Sequence, residues 1–293
     1  MKFSIRLICE NTWIITGEGC DCYLLEGENE AIMIDAGCSN ENIRAYAQSF
    51  TSKPLRRVIN THSHFDHTGG NGFFDEVLCT EKVSRSAKNT MGQDPDKFLL
   101  DYAFTFVKDG DRINLGNREL RIIELDCHSP GDIAILDITH RMLFTGDEID
   151  SGQVLLLPGF AEEPGQVHAS AAATVETCLR TMRKLDALKP QFDAIYPSHN
   201  GSPVSSAYID WFITLCEGII SGEIIGVADC SSPTYDTGAA HYPFHNSQYL
   251  RGKYKGASLV YCSKLIRDQD AVNADALLPA TPLHVISSYS IGR

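Results

Sequence analysis

The sequence has no apolar run long enough to cross a bilayer, and its N-terminal stretch lacks the continuous apolar core of an export signal. We therefore expect no membrane partner and a cytoplasmic location. Closely spaced cysteines are also scarce, because Cys20 and Cys22 form the one close pair among ten cysteines. We expect free, buried thiols, with a redox or additional metal role for this pair as the alternative.

Basic charge is scarce as well. The 293-residue chain has 25 Lys and Arg against 38 Asp and Glu, which gives a formal net charge of −13. Proteins that act on nucleic acids usually carry a basic stripe that contacts the phosphates. We therefore expect no nucleic-acid partner and a small-molecule substrate.

Short strand-like runs, separated by turn residues, alternate with helical segments along the chain. This order predicts an α+β fold in which two mixed β-sheets pack face to face with helices outside, an αββα sandwich. A long helix is predicted from about Gln166 to Leu188. We expect a single domain over residues 1–293, with a C-terminal extension or lid from about residue 224. For the aromatic residues of this tail, lid packing, pocket lining and a homodimer contact are alternatives.

Three histidines and an aspartate fall within residues 62–67, in the stretch NTHSHFDHTGG. Residues two apart on an extended segment point the same way, so His62 and His64 can reach one ion. Asp66 would continue this alternation, and His67 would leave it. Because histidine is the commonest metal ligand and carboxylates complete harder sites, the stretch predicts a metal site that could serve two adjacent ions.

Three further candidate ligands lie far along the chain. His128, Asp147 and His199 each follow a predicted apolar strand, at a turn that contains Gly or Pro. Polar ligands at strand ends are what a metal site at one edge of a sheet requires.

The complete ordered set resembles the metallo-β-lactamase-fold hydrolase superfamily over about residues 10–202, including the MIDAG turn that contains Asp35. The resemblance implies two divalent metal ions, with Zn²⁺ first and Fe or Mn as alternatives. It implies one ion on His62, His64 and His128. It implies a second ion on Asp66, His67 and His199. Asp147 would bridge the two ions, and Asp35 would orient the ligand histidines from beneath.

The same resemblance implies a hydrolase in which a hydroxide that bridges the two metals attacks the substrate, while Asp66 or Asp147 handles the proton. An aspartate at position 147 favours small ester, thioester, lactone or amide substrates over β-lactams. An iron-dependent thiol or persulfide dioxygenase and a phosphodiesterase on the same fold are the alternatives. A non-catalytic binding protein is a further alternative, which the complete ligand set disfavours.

The sequence departs from common family patterns beside two ligands. Residues 129–132 read Ser-Pro-Gly-Asp where many members have Thr-Pro-Gly-His, and residues 198–200 read Ser-His-Asn where many have Gly-His-Gly. Both changes bear either on the hydrogen bonds around the ligands or on substrate fit. His168, at the start of the predicted long helix, and His241 and His245, on the predicted lid, are candidate substrate contacts, with ordinary core or surface positions as the alternative.

Overall fold

The computed structural model describes residues 3–90, 93–151, 153–156, 159–160, 167–168, 173–227 and 249–271. Their strands, in chain order, are β1 (Ser4–Cys9), β2 (Thr12–Thr16), β3 (Asp21–Glu26), β4 (Ala31–Ile34), β5 (Leu55–Ile59), β6 (Glu76–Cys79), β7 (Phe104–Phe106), β8 (Arg112–Asn114), β9 (Glu119–Glu124), β10 (Ile133–Asp137), β11 (Met142–Gly146), β12 (Val154–Leu155), β13 (Gly159–Phe160), β14 (Val167–His168), β15 (Ala194–Pro197), β16 (Tyr249–Tyr254) and β17 (Ala257–Cys262). Their α-helices are α1 (Ile43–Gln48), α2 (Phe65–Thr68), α3 (Glu81–Ser84), α4 (Val175–Asp186), α5 (Ala207–Ser221) and α6 (Asp268–Ala271).

Two mixed sheets form the centre of the fold. The first has the order β1-β2-β3-β4-β5-β6-β7 and is antiparallel up to β4 and parallel from β4 to β7. The second has the order β15-β11-β10-β9-β8 and is antiparallel except for the β11–β15 pair. The predicted pair of mixed sheets is confirmed.

The layers follow from where the apolar side chains pack. Ile34 and Ile59 of the first sheet share one buried cluster with Ile122 and Phe144 of the second, so the inner faces of the sheets meet. Helix α1 covers the outer face of the first sheet, and α4 and α5 cover the outer face of the second. Burial of apolar surface between layers is the main stabilising contribution in such a fold. The αββα sandwich is therefore confirmed.

A third sheet has the order β12-β17-β16 and joins residues far apart in sequence. Strands β16 and β17 form an antiparallel hairpin, and β12 pairs in parallel with β17. Leu259 and Tyr261 of β17 are buried in the cluster that contains α5. Part of the C-terminal extension thus packs on the domain, while a lid role for residues from about 224 stays a prediction.

The predicted long helix is shorter than expected. Helix α4 begins at Val175 because the hydroxyl of Thr174 accepts a hydrogen bond from the backbone N–H of Thr177 and caps the first turn. Val167 and His168 instead form β14, which pairs with β13. The sequence analysis placed His168 at the start of this helix. That expectation is wrong.

Candidate metal centre

The histidine-rich stretch leaves the first sheet at the end of β5. His64 has an extended backbone and precedes α2, whose first turn carries Asp66 and His67. The expectation that Asp66 continues the extended alternation is therefore wrong. The change from extended to helical backbone after His64 is what separates the stretch into two pairs of side chains.

The seven predicted ligands lie together in two groups. Within each group the candidate ligand atoms are all within 4.8 Å of one another. One group consists of His62, His64, His128 and Asp147, and the other consists of Asp66, His67 and His199. Strand ends on the two sheets thus converge at one edge of the sandwich, as the sequence predicted.

Asp147 connects the two groups through its two carboxylate oxygens. Its Oδ2 lies 3.6 Å from Nε2 of His128 and 4.0 Å from Nε2 of His62. Its Oδ1 lies 3.3 Å from Nε2 of His67 and 3.3 Å from Nε2 of His199. Each oxygen therefore faces a different group, which is the arrangement that a bridging carboxylate requires.

Asp35 fixes which nitrogen of two histidines faces this centre. Its Oδ2 accepts a hydrogen bond from Nδ1 of His67 (2.9 Å) and another from the hydroxyl of Thr61 (2.8 Å). Because the Thr61 hydroxyl donates to Asp35, it accepts from Nδ1 of His62 at 3.0 Å. Both histidines consequently carry their proton on Nδ1, and both present the lone pair of Nε2 to the centre.

A backbone carbonyl does the same for His128. Its Nδ1 lies 3.0 Å from the carbonyl oxygen of Leu155, which can only accept, so Nδ1 carries the proton. Nε2 of His128 therefore presents a lone pair and lies 3.0 Å from Nδ1 of His64. Two imidazole nitrogens this close together can bind the same cation.

Orphaned buried atoms test whether a metal fits. Nε2 of His62, His67 and His199 and Oδ1 of Asp147 are buried and make no hydrogen bond. Leaving one such group without a partner costs roughly 1–3 kcal/mol. All four atoms belong to the two groups, so the same small volume contains four acceptors that a cation would satisfy. The donor set of imidazoles and carboxylates fits divalent metal ions.

The pKa shifts differ between the two groups of candidate ligands. Burial lowers the pKa of His64 to about 3 and also lowers the pKa values of His62 and His128, so all three are neutral ligands near pH 7. Burial lowers the pKa of His67 too, but the carboxylates of Asp147 and its neighbours raise it to about 9. The second group thus attracts positive charge.

Two buried carboxyl groups support the backbone around His128. Oε1 of Glu148 accepts from the backbone N–H of Cys127 (2.9 Å) and of His128 (3.0 Å). Burial raises the pKa of Glu148 to about 7 and raises that of Asp132 well above its usual value. The departure at residues 129–132 is thereby explained, since Asp132 accepts from both the N–H and the hydroxyl of Ser129. Sequence reasoning missed Glu148, although it directly follows a ligand.

Gly146 shows why the chain is tightly constrained before Asp147. It has a positive φ of 53°, and a Cβ at this position would lie 2.5 Å from the hydroxyl oxygen of Thr61. A side chain here would displace the hydroxyl that connects Asp35 to His62.

The three other candidate histidines are His168, His241 and His245. His168 lies in β14, where its backbone pairs with Gly159. His241 and His245 lie outside the described residues. A role for these three in substrate binding stays a prediction.

Cysteines of the described chain are free thiols, and most are buried. The sulfur atoms of Cys20 and Cys22 lie 3.7 Å apart. Burial raises the pKa of Cys20 well above its usual value, which disfavours the reactive thiolate. Within the part of the chain that the structure describes, none of the helices has the length and apolar character needed for a membrane span.

Comparison with known proteins identifies a family and several relatives. The sequence profile of the metallo-beta-lactamase superfamily matches residues 15–199. The chain is 24% identical over 215 residues to acyl-coenzyme A thioesterase MBLAC2 of Gallus gallus, covering 63% of this chain and 73% of that protein. It is 29% identical over 133 residues to hydroxyacylglutathione hydrolase of Rhodospirillum rubrum, covering 45% of each.

A solved structure shows the same fold. The metallo-beta-lactamase from Pontibacter korlensis aligns with a TM-score of 0.56 at 17% identity, over 73% of this chain and 98% of its own. The expected fold and the expected kinship with hydrolases are therefore confirmed. The chain belongs to the metallo-beta-lactamase superfamily.

Proposed function

We propose that the protein is a dinuclear metal-dependent hydrolase of small thioesters, with other small esters and lactones as lesser substrates. The observation that carries this proposal is the division of the Asp147 carboxylate between two groups of ligands, with one oxygen facing His128 and the other facing His199. A mononuclear site would not need the second group.

In this proposal His62, His64 and His128 hold one divalent ion, and Asp66, His67 and His199 hold the other. Asp147 would contribute one carboxylate oxygen to each group of ligands. Zn²⁺ suits imidazole and carboxylate donors, and Fe or Mn are the alternatives. Two such ions, when bound, lower the pKa of a water molecule to near neutrality and polarise a carbonyl group.

The chain's own residues orient the ligands and move the proton. The hydrogen bonds of Asp35, Thr61 and Leu155 keep the ligand lone pairs directed into the centre. The Asp66 side chain is 28% exposed, against 10% for Asp147. Asp66 is therefore the carboxylate that accepts a proton from the attacking water and passes it outward, while Asp147 stays between the two groups.

The proposed thioester substrate class is supported by the named relatives and by the residues that line the pocket beside the centre. Both named relatives are hydrolases of thioesters. The described lining beside His128 and His199 includes Asp150, Gln153, Leu155 and Asn200 but neither Lys nor Arg. Together with a net charge of −13, this supports a small substrate with an uncharged reacting part rather than a nucleic acid.

We also propose a cytoplasmic location, which suits the free thiols; a homodimer stays a prediction.

Elemental analysis coupled to a substrate panel tests the proposal. We expect close to two transition metals per chain and faster turnover of a thioester than of a lactone, a β-lactam or a phosphodiester. We expect His199→Ala to abolish thioester turnover, while the matched variant His140→Ala, which changes a histidine outside the centre, retains it. Less than about one metal per chain would overturn the dinuclear site. Oxygen consumption with a thiol or persulfide, without hydrolysis, would establish the dioxygenase instead.

A further inference from the structure

We infer that Glu148 is a positioning residue, which holds the candidate metal ligand His128 at a fixed place relative to Asp147, its own neighbour in the chain. The inference rests on the proposed dinuclear centre and adds to it a residue that is not a ligand. Neither of the two groups of ligand atoms around Asp147 includes Glu148. Its side chain is 1% exposed, so it acts from inside the fold and not from the pocket.

The carboxylate of Glu148 binds the loop that carries His128. Its Oε1 accepts hydrogen bonds from the backbone N–H groups of Cys127 (2.9 Å) and His128 (3.0 Å). This loop joins β9 to β10, so the two N–H groups lie outside the strand ladders. A buried N–H group needs a partner, and a carboxylate is a stronger acceptor than a neutral carbonyl group. Glu148 therefore fixes two consecutive peptide groups, and one of them belongs to His128 itself.

The backbone of Glu148 belongs to the turn that carries Asp147. Its N–H donates to the carbonyl oxygen of Thr145 at 3.1 Å, and the Thr145 hydroxyl donates to the carbonyl oxygen of Ile149 at 3.2 Å. Asp147 thus lies in a turn that two hydrogen bonds close. Its Oδ2 lies 3.6 Å from Nε2 of His128. The three residues therefore form a ring of contacts, and a change in the reach of the Glu148 side chain would alter the separation of the two ligands.

The other contacts of the His128 loop have different effects. Asp132 accepts from the N–H of residue 129 at 2.7 Å, but it lies in the same loop and holds only the internal shape of that loop. The carbonyl oxygen of Leu155 lies 3.0 Å from Nδ1 of His128 and fixes the rotation of the ring. Glu148 instead connects the backbone of the loop to the turn after β11.

Two substitutions separate the reach of this side chain from its charge. Glu148→Gln keeps the length and keeps Oε1 as the acceptor for both N–H groups, but it removes the charge. The amide NH₂ would take the place of Oε2, which is buried and makes no hydrogen bond. Glu148→Asp keeps the charge but is shorter by one methylene group, so it cannot reach both N–H groups unless the loop moves. Because the inferred role depends on reach, the aspartate is the damaging change.

Competition between the zinc-loaded protein and a chromogenic chelator tests the inference. We expect Glu148→Asp to weaken the binding of one zinc ion about 10- to 100-fold, as for other residues that orient metal ligands, and to leave the second unchanged. Glu148→Gln should bind both ions as tightly as wild type. Unchanged zinc affinities in Glu148→Asp, or an equal loss in the two variants, would overturn the inference.

The matched control is Glu30→Asp, which makes the same chemical change away from the centre. Glu30 pairs with Arg57 through both of its carboxylate oxygens, at 2.7 and 3.2 Å. It precedes β4, whose opposite end leads to Asp35 beneath the centre. We expect this variant to retain both zinc affinities.

Hydrogen exchange measured by NMR on the protein as purified separates this inference from the proposed function. We expect slow exchange of the backbone N–H groups of Cys127 and His128 in wild type and in Glu148→Gln, and faster exchange of these two groups in Glu148→Asp. If wild type holds less than about one metal per chain, the proposed dinuclear function fails, and the exchange rates still decide the role of Glu148. Unprotected N–H groups in wild type would overturn that role, even if Glu148→Asp does not fold.

Discussion

Oδ2 of Asp35 lies 2.9 Å from Nδ1 of His67, and this contact determines which nitrogen of His67 faces the metal centre. Both side chains are fully buried. The same carboxylate accepts from the N–H and the hydroxyl of Thr61, so one acid receives three hydrogen bonds. Asp35 therefore organises both halves of the histidine-rich stretch, without lying in either group of candidate ligands around Asp147.

The variant Asp35→Asn should weaken metal binding. Asparagine tolerates the positive φ of 58° at this position, so the backbone is preserved. Its NH₂ group, however, must face one of the N–H or O–H donors from which Asp35 accepts a hydrogen bond in the wild-type protein. We expect metal affinity to fall about 10- to 100-fold, as for other residues that orient ligand histidines. Competition with a chromogenic chelator measures this, and an affinity equal to that of wild type would show that Asp35 does not orient the ligands.

The variant Asp147→Asn should separate the two groups of ligands. The amide keeps the size of the side chain but removes the negative charge that faces His128 and His199. We expect loss of about one metal per chain and a fall in kcat of more than about 100-fold, because the positioned charge stabilises the transition state. Asp193→Asn is the control, since Asp193 is 70% exposed and pairs with Arg141. Two retained metals would refute the bridging role.

Much of this centre could be predicted because ligand types and their order are local properties. The residue types in the stretch His62–His67 indicate metal binding by themselves. His128, Asp147 and His199 each follow an apolar strand. The apolar patterning also predicted the two sheets, since buried strands leave a periodic signal in sequence.

What could not be predicted depends on contacts between distant segments. The pairing of β12 with β17 joins residues about 105 apart, and no local pattern around Gln153 predicts its hydrogen bond with Arg251. Similarly, the prediction of an extended backbone at Asp66 was wrong because α2 begins at Phe65. This helix has four residues and is too short to show a periodic pattern. The start of α4 at Val175 depended on a single capping side chain, that of Thr174.

Removal of metal should destabilise the whole protein. Four buried atoms of the two groups have no hydrogen-bond partner in the absence of a cation. A ligand present at 1,000 times its Kd contributes about 4 kcal/mol to the free energy of unfolding. We therefore expect EDTA to lower the Tm clearly, and added zinc to restore it. EDTA presaturated with zinc is the control, and an unchanged Tm after verified metal loss would contradict the fit of a cation to this centre.

Asp268 should give a pH-dependent contribution to stability away from the metal centre. Its Oδ1 accepts from the hydroxyls of Thr174 (2.7 Å) and Thr177 (3.0 Å), and its Oδ2 pairs with Arg180. Burial raises the pKa of Asp268, but these partners outweigh it and lower the pKa below 3.8. A depressed pKa in the folded state means that this stabilisation is present above pH 3.8 and is lost as the pH falls through the folded-state value.

Asp268→Asn should accordingly reduce the free energy of unfolding at pH 7 by less than about 1 kcal/mol, because a half-exposed ion pair is screened by solvent. Urea denaturation of both proteins at several pH values measures the difference. We expect it to shrink as the pH falls below 3.8 and to shrink in 1 M NaCl, since the Debye length is then about 3 Å. A difference that is the same at every pH and salt concentration would mean that the hydroxyl hydrogen bonds, and not the charge of Asp268, secure α6 to the first turn of α4.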